Sequence, residues 1–226
     1  MKLNTYIDHT KLGPIVTLSD IDTLIDEAIE HQFKSVCVSP IWVAHAKSRL
    51  EGTGVLVCTV VGFPFGTHLP KVKAFETKEA IKQGADEIDM VVDVDAVRSK
   101  DRSRVSKDIK AVVKAAQGRT VKVIIETAYL DKNQITFVSK IAVKAGATFV
   151  KTSTGYASRG ASVEDIVTIK KAVGDDALIK ASGGIRSKED ALLMIEKGAN
   201  RLGTSSGVKL IKGETSDGNT TYWVTR

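Results

Sequence analysis

Short apolar runs alternate with longer amphipathic segments along this chain of 226 residues. Runs rich in β-branched residues predict strands. They cover 5–9, 35–38, 55–62, 87–92, 121–126, 149–152, 177–181 and 201–203. The intervening segments repeat apolar residues every three or four positions, as amphipathic helices do. The clearest helical faces are Leu18, Ile21, Leu24 and Ile25 in 18–25, Ile166, Ile169 and Val173 in 165–173, and Ala191, Leu192 and Ile195 in 189–197.

Glycines mark the ends of several predicted helices, at Gly84, Gly146, Gly174 and Gly198. Glycine just past a helix accepts the left-handed backbone conformation without steric cost. Strand and helix therefore alternate eight times, with no linker between the units. This pattern predicts an α/β fold, a single closed (β/α)8 TIM barrel, over 1–213. A doubly wound open sheet is the alternative, but it usually has fewer strands.

The last residues, 214–226, are polar and show no helical period, so we expect a mobile tail or one that folds over the barrel mouth. No run of 18 apolar residues occurs, and the N-terminus lacks the apolar core of a signal peptide. We therefore expect a cytoplasmic protein that does not enter a membrane.

The net charge of +6 permits attraction to anions, but lysine and arginine are interspersed with acids rather than grouped on one element. This distribution disfavours nucleic-acid binding and favours a small anionic substrate. Cys37 and Cys58 lie in apolar runs without metal-type spacing, so we expect buried, reduced cysteines and no metal site.

Two lysines end predicted strands of the barrel, Lys151 in Phe-Val-Lys-Thr-Ser-Thr-Gly and Lys180 in Leu-Ile-Lys-Ala-Ser-Gly-Gly. Active sites of such barrels lie at the carboxyl ends of the strands. Two lysines side by side suggest that one ammonium lowers the pKa of the other and makes an amine nucleophilic toward a carbonyl.

Carboxylates also fall on strands or at their ends, namely Asp8, Asp89 and Glu126. The alternative interpretation is a structural ion-pair network inside the barrel, since buried charges are usually paired. A pair of lysines together with Asp8 and Asp89 favours a reactive site over that alternative.

Glycine and serine follow the last two predicted strands, as Ser182-Gly183-Gly184 and as Gly203-Thr204-Ser205-Ser206. Glycine lets backbone N–H groups approach an anion, and the N-terminus of a following helix adds a positive dipole end. These loops predict a phosphate site, although tight turns alone would explain the glycines.

Over nearly its whole length the chain resembles the deoxyribose-phosphate aldolase family. The resemblance rests on 8–10, 61–64, 85–91, 123–127, 150–155, 180–186 and 203–206. It implies a class I aldolase on a (β/α)8 barrel without metal or other cofactor, which cleaves 2-deoxy-D-ribose 5-phosphate reversibly to acetaldehyde and D-glyceraldehyde 3-phosphate. It also implies that sugar phosphate and aldehydes are the only partners besides a second copy in a homodimer.

By position, the resemblance makes Lys151 the Schiff-base lysine, Lys180 the lysine that perturbs it and transfers protons, and Asp89 their acid/base partner. Substrate and phosphate contacts are expected from Asp8, Thr154, Gly155, Ser182, Gly183, Gly184, Gly203, Ser205 and Ser206.

The chain departs from the family pattern in three places. Asp93 and Asp95 replace a common Asn-Ile-Gly and are expected to add acid near Asp89, and Tyr156 replaces a lysine that some members carry. Tyr222 is the counterpart of a C-terminal tyrosine, although other residues follow it. Two alternatives stay open on the residues alone: another phosphate-binding barrel, such as an isomerase or a different Schiff-base aldolase, and a sugar-phosphate sensor without catalysis.

Overall fold

The computed structural model describes residues 2–215, and eight parallel strands form a closed barrel within them. The strands are β1 Ile7–Lys11, β2 Ser35–Val38, β3 Leu56–Val61, β4 Glu87–Val91, β5 Thr120–Ile124, β6 Phe149–Lys151, β7 Leu178–Ser182 and β8 Arg201–Thr204. Each strand pairs with the next in sequence, and β8 closes on β1. The predicted barrel is confirmed, and an open sheet is excluded.

Helices of the described residues surround the barrel. They are α1 Leu18–Glu30, α2 Val43–Leu50, α3 Pro70–Lys82, α4 Val94–Arg98, α5 Arg102–Ala115, α6 Lys132–Lys144, α7 Val163–Val173, α8 Lys188–Glu196 and α9 Gly207–Lys212. Short 3₁₀ helices occur at Leu3–Tyr6, Pro40–Trp42 and Thr127–Tyr129. None of the helices within residues 2–215 combines the length and the apolar character needed to cross a bilayer. The predicted tail, including Tyr222, lies almost entirely outside the described residues.

The helices bury the faces that the sequence predicts, with two differences. Ile21, Leu24 and Ile25 are buried in α1, but Leu18 is half exposed because it opens the helix at the rim of the barrel. In α8 Ala191 is buried as predicted and Ile195 packs partly buried against the core, but Leu192 is exposed and Met194 is buried instead. Leu192 and Met194 are both apolar and lie two positions apart, so the pattern could not distinguish them.

Two strand boundaries differ in a way that matters for the site. β1 begins at Ile7, two residues later than predicted, because Leu3–Tyr6 form a 3₁₀ turn. β5 ends at Ile124 rather than at Glu126, whose φ of 55° lies in the left-handed region. The carboxyl ends of the strands, and the loops after them, form the face that carries the candidate site.

Candidate active site

Charged side chains fill the middle of the barrel because neighbouring strands bring them into register. Asp89 on β4 is the Cα partner of Lys122 on β5, and Lys151 on β6 is the partner of Lys180 on β7. In a pleated strand, alternate residues share one side, which here is the barrel interior. The predicted pair of lysines and Asp89 are therefore brought together.

Asp89 is the centre of the cluster. Its Oδ2 atom accepts from the Nζ of Lys151 at 2.7 Å and from the Nζ of Lys180 at 2.8 Å. Its Oδ1 accepts from the Nζ of Lys122 at 2.8 Å. Burial alone would raise the pKa of Asp89, but the surrounding ammonium groups outweigh burial and hold that pKa well below its usual range. Asp89 is therefore an anion in the resting site.

Lys180 lies between two carboxylates, since it donates to Asp8 as well as to Asp89. Burial alone would lower the pKa of Lys180, but Asp8 and Asp89 outweigh burial and raise it. Asp8 also accepts from Ser35 at 2.7 Å and from Arg201 at 2.7 Å. Asp8 is thus fully buried among its hydrogen-bond partners, and it holds Lys180 as an ammonium.

Three members of the cluster are not among the residues predicted from the sequence: Lys122, Glu87 and Arg201. The Lys122 Nζ lies 2.6 Å from Glu87 Oε2, and Arg201 donates to Glu87 at 2.8 Å. The signal was present, because Lys122 stands between valines in a predicted strand and is fully buried.

Accessibility distinguishes the three lysines. Lys151 retains 4% exposure, whereas Lys122 and Lys180 have none. Of the cluster's amines, the Lys151 amine is therefore the one that a carbonyl compound in the mouth of the barrel can approach. Lys122 and Lys180 are buried deeper in the barrel and place positive charge next to it.

The predicted phosphate loops follow β7 and β8 side by side. Gly183 and Gly184 have φ of 78° and 75°, a conformation that suits glycine. A Cβ on Gly203 would stand 2.3 Å from Ser182 Oγ and 3.0 Å from Lys180 Cε. Glycine at 203 thus leaves room for the stem of Lys180, and this contact joins the phosphate loops to the lysine cluster.

Ser205 and Ser206 immediately precede α9, where Ser206 is the N-cap residue. Ser205 is exposed and Ser206 half buried, so both hydroxyls lie at the mouth of the barrel. The loops offer hydroxyl groups and backbone N–H groups, which suit a phosphate ester.

The loop after β6 carries Thr154 and Gly155. Glu126 accepts a hydrogen bond from the Thr154 hydroxyl, and Thr154 N lies 3.3 Å from each of its carboxylate oxygens. Glu126 and Thr154 also line a cavity of about 360 Å³ at the mouth, with the aromatic residues Phe65, Tyr129 and Tyr156 on its walls. The cavity has the size of a small-molecule site.

Two of the departures from the family pattern, Asp93 with Asp95 and Tyr156, lie at the edge of this mouth. Asp93 caps α4 and pairs with Arg104 at 2.6 Å, and Asp95 pairs with the same guanidinium at 3.2 Å. The expectation of added acid near Asp89 is therefore corrected, because Arg104 compensates both carboxylates. Tyr156 packs edge-on against Phe63, with ring centroids 5.4 Å apart.

Both cysteines are buried and reduced, as predicted. The structure nevertheless brings Cys37, Cys58 and Asp89 together, with donor atoms within 4.8 Å of one another. Sequence spacing gave no sign of this cluster, because the two cysteines meet only through the pairing of β2 with β3. The lysines that already hold Asp89 oppose a divalent cation there.

Comparisons of the sequence with a family model and with curated proteins agree that the chain is similar to aldolases. The model of the DeoC/LacD aldolase family matches residues 3–214. A deoxyribose-phosphate aldolase of Acholeplasma laidlawii (strain PG-8A) is 99% identical over 222 residues, which cover 98% of this chain and all of that protein. A deoxyribose-phosphate aldolase of Streptococcus pneumoniae (strain P1031) is 54% identical, over 97% of this chain and all of that protein.

Structural comparisons agree with the sequence comparisons. A protein from Coccidioides immitis whose crystal structure is described as that of a putative deoxyribose-phosphate aldolase is 41% identical in sequence, with a TM-score of 0.90. The match covers 93% of this chain and 85% of that one. The deoxyribose phosphate aldolase of Aeropyrum pernix, described as a tetramer, is 34% identical with a TM-score of 0.87. That match covers 93% of this chain and 89% of the other.

Proposed function

This chain belongs to the DeoC/LacD family of aldolases, and from that premise we propose that it is a deoxyribose-phosphate aldolase. In this proposal it cleaves 2-deoxy-D-ribose 5-phosphate reversibly to acetaldehyde and D-glyceraldehyde 3-phosphate, through a Schiff base on Lys151. The relatives that carry this activity in their names support the substrate.

One observation carries the mechanism: a single oxygen, Asp89 Oδ2, binds the amines of both Lys151 and Lys180. Lys151 is the partner with access to the mouth, so it is the nucleophile. Asp89 is the base that takes up the proton which Lys151 gives up.

The covalent steps follow from that arrangement. The neutral amine of Lys151 attacks the C1 aldehyde of the open-chain sugar, and loss of water gives an iminium that withdraws electrons from C2. The C3 hydroxyl transfers its proton to the relay of Asp89 and Lys180, directly or through water. The C2–C3 bond then breaks, glyceraldehyde 3-phosphate leaves, and an enamine remains on Lys151.

The return steps use the same groups. Lys180, whose pKa is raised by Asp8 and Asp89, holds a proton that the relay delivers to C2 of the enamine. Hydrolysis of the resulting iminium releases acetaldehyde and restores Lys151. Asp89 lies beside the nitrogen, and whenever it is ionised its negative charge stabilises the iminium.

The phosphate of the substrate binds at the loops after β7 and β8, at Ser182, Gly183, Gly184, Gly203, Ser205 and Ser206. Asp8 acts by fixing Lys180, and Thr154 and Gly155 border the sugar. The chemistry needs no metal or other cofactor, which makes this a class I aldehyde-lyase. Degradation of deoxyribose phosphate from deoxyribonucleotides, a cytoplasmic location and a homodimer complete the proposal.

The test is acetaldehyde release from 2-deoxyribose 5-phosphate with EDTA present, for the wild type and for Lys151→Ala. We expect a metal-independent wild-type activity and a loss of roughly 10³-fold or more in the variant. An inactive wild type that is stabilised against heat by the sugar phosphate would support a sensor instead. Activity that survives in the variant would contradict the imine on Lys151.

A further inference from the structure

Glu126 has a backbone conformation that its side chain does not favour. It follows β5 with φ of 55° and ψ of 69°, in the left-handed region, and it is buried. Such strain persists in a non-glycine residue only where the surroundings impose it, and it concentrates at functional sites. The position calls for an explanation in terms of what the side chain does.

Hydrogen bonds tie the backbone on both sides of Glu126 to the segment that carries Lys151. Ile125 N donates to Lys151 O at 3.0 Å, and Thr127 N donates to Thr152 O at 2.9 Å. Glu126 is thus held at a fixed distance from the lysine, and its left-handed turn aims the side chain at the loop after β6.

The carboxylate of Glu126 uses this position to hold Thr154. It accepts a hydrogen bond from the Thr154 hydroxyl and faces the backbone N–H of the same residue. The Thr154 Oγ1 atom in turn accepts from Tyr156 N at 3.0 Å. A chain of hydrogen bonds therefore runs from Tyr156 through Thr154 to Glu126 and fixes the rotamer of Thr154.

Charge on Glu126 is balanced by its surroundings. Burial raises the pKa of Glu126, while the Thr154 hydrogen bonds and the positive charges of Lys151 and Arg159 oppose that rise. Arg98 and Asp95 of α4 line the same cavity. A neutral acceptor in place of the carboxylate would therefore keep the hydrogen bond to Thr154 at little electrostatic cost.

We propose that Glu126 is a positioning residue, which holds the Thr154 hydroxyl and its loop in place beside Lys151 by accepting hydrogen bonds. Thr154 is the group that meets the substrate, and Glu126 acts through it. The inference rests on the proposed aldolase function, because Thr154 borders the sugar only if the imine forms on Lys151.

The experiment compares kcat, KM and melting temperature of Glu126→Gln, Glu126→Gly, Thr154→Val and the double variant Glu126→Gly/Thr154→Val. Glutamine keeps an oxygen acceptor, so we expect kcat/KM within about threefold of the wild type. Glycine accepts the left-handed backbone but removes the acceptor, so we expect a loss of roughly 30-fold without a large drop in melting temperature. Gln117→Gly is the matched control, since Gln117 has φ of 52° and is exposed away from the mouth.

The double variant separates positioning from an independent role. If Glu126 acts through Thr154, the double variant loses no more than the larger single loss. Additive losses, a glutamine variant as impaired as the glycine variant, or full activity in Glu126→Gly would each overturn the inference. Wild-type turnover in the same assay keeps this test separate from the proposed aldolase activity, which an inactive wild type would contradict whatever the variants do.

Discussion

Two buried lysine–aspartate pairs in this molecule look alike at short range and differ in what surrounds them. Lys73 Nζ of α3 lies 2.8 Å from Asp108 Oδ2 of α5. Lys151 Nζ lies 2.7 Å from Asp89 Oδ2 inside the barrel. Asp108 otherwise receives the backbone N–H of Asp93, whereas Asp89 is shared by further ammonium groups.

The surroundings shift the pKa values of the two carboxylates in opposite directions. Burial raises the pKa of Asp108 despite Lys73, because one cation does not compensate the lost hydration. Burial acts on Asp89 in the same direction, but three lysines reverse the result and lower its pKa. A single buried ion pair therefore links two elements of the fold, whereas a reactive site needs several charged groups around one carboxylate.

The largest difference is expected when each aspartate is replaced by asparagine. Asp89→Asn removes the base and the charge beside the Lys151 nitrogen, so kcat should fall by roughly 10³-fold. Asp108→Asn weakens the hydrogen bonds that Asp108 accepts from Lys73 and from Asp93 N, and it should lower the free energy of unfolding by about 1 kcal/mol, with kcat of the folded enzyme nearly unchanged. Steady-state kinetics and urea unfolding of both variants check this, and equal effects on kcat would remove the distinction.

The opposite pKa shifts predict opposite pH dependences of stability. Asp89 has a lowered pKa, so its contribution is present above its ordinary 3.8 and is lost as pH falls below that value. Asp108 has a raised pKa, so its contribution is complete below 3.8 and is lost as pH rises through the raised value.

Urea unfolding between about pH 3 and 7 measures both dependences. The stability difference between wild type and Asp89→Asn should shrink toward low pH, and that between wild type and Asp108→Asn should shrink toward neutral pH. Each slope is at most about 1.4 kcal/mol per pH unit. Parallel slopes in the two variants would show that the surroundings of the two carboxylates are equivalent.

The smallest expected effect concerns Ser206, which precedes α9 in the loop after β8. Ser206→Ala removes one hydroxyl at the mouth and should raise KM for 2-deoxyribose 5-phosphate by about fivefold, equivalent to one ordinary hydrogen bond. The sugar without phosphate, 2-deoxyribose, serves as the control substrate, and its KM should not change. A similar rise for both substrates would place Ser206 at the sugar rather than at the phosphate.

The sequence predicts the barrel and the core of the site because both depend on local periodicity. Alternation along a strand places Lys151, Lys180 and Asp89 inward, and the closed order of strands then makes them neighbours. The same alternation places Lys122 and Arg201 inward, so the strand pattern contains the signal for both residues.

Other features depend on contacts between residues distant in sequence. The compensation of Asp93 and Asp95 by Arg104 follows from the packing of α4 on α5, and no local pattern reports it. The meeting of Cys37 with Cys58 depends on the register of two strands. The left-handed turn at Glu126 replaces the end of a predicted strand, because hydrogen bonds to the β6 segment determine it.

The most direct test of the central claim is to trap the imine. The wild type is treated with sodium borohydride and 2-deoxyribose 5-phosphate, digested, and mapped by mass spectrometry. The account predicts one reduced adduct, on the peptide that contains Lys151, and none in Lys151→Ala. An adduct on Lys122 or Lys180, or turnover without any adduct, would contradict it.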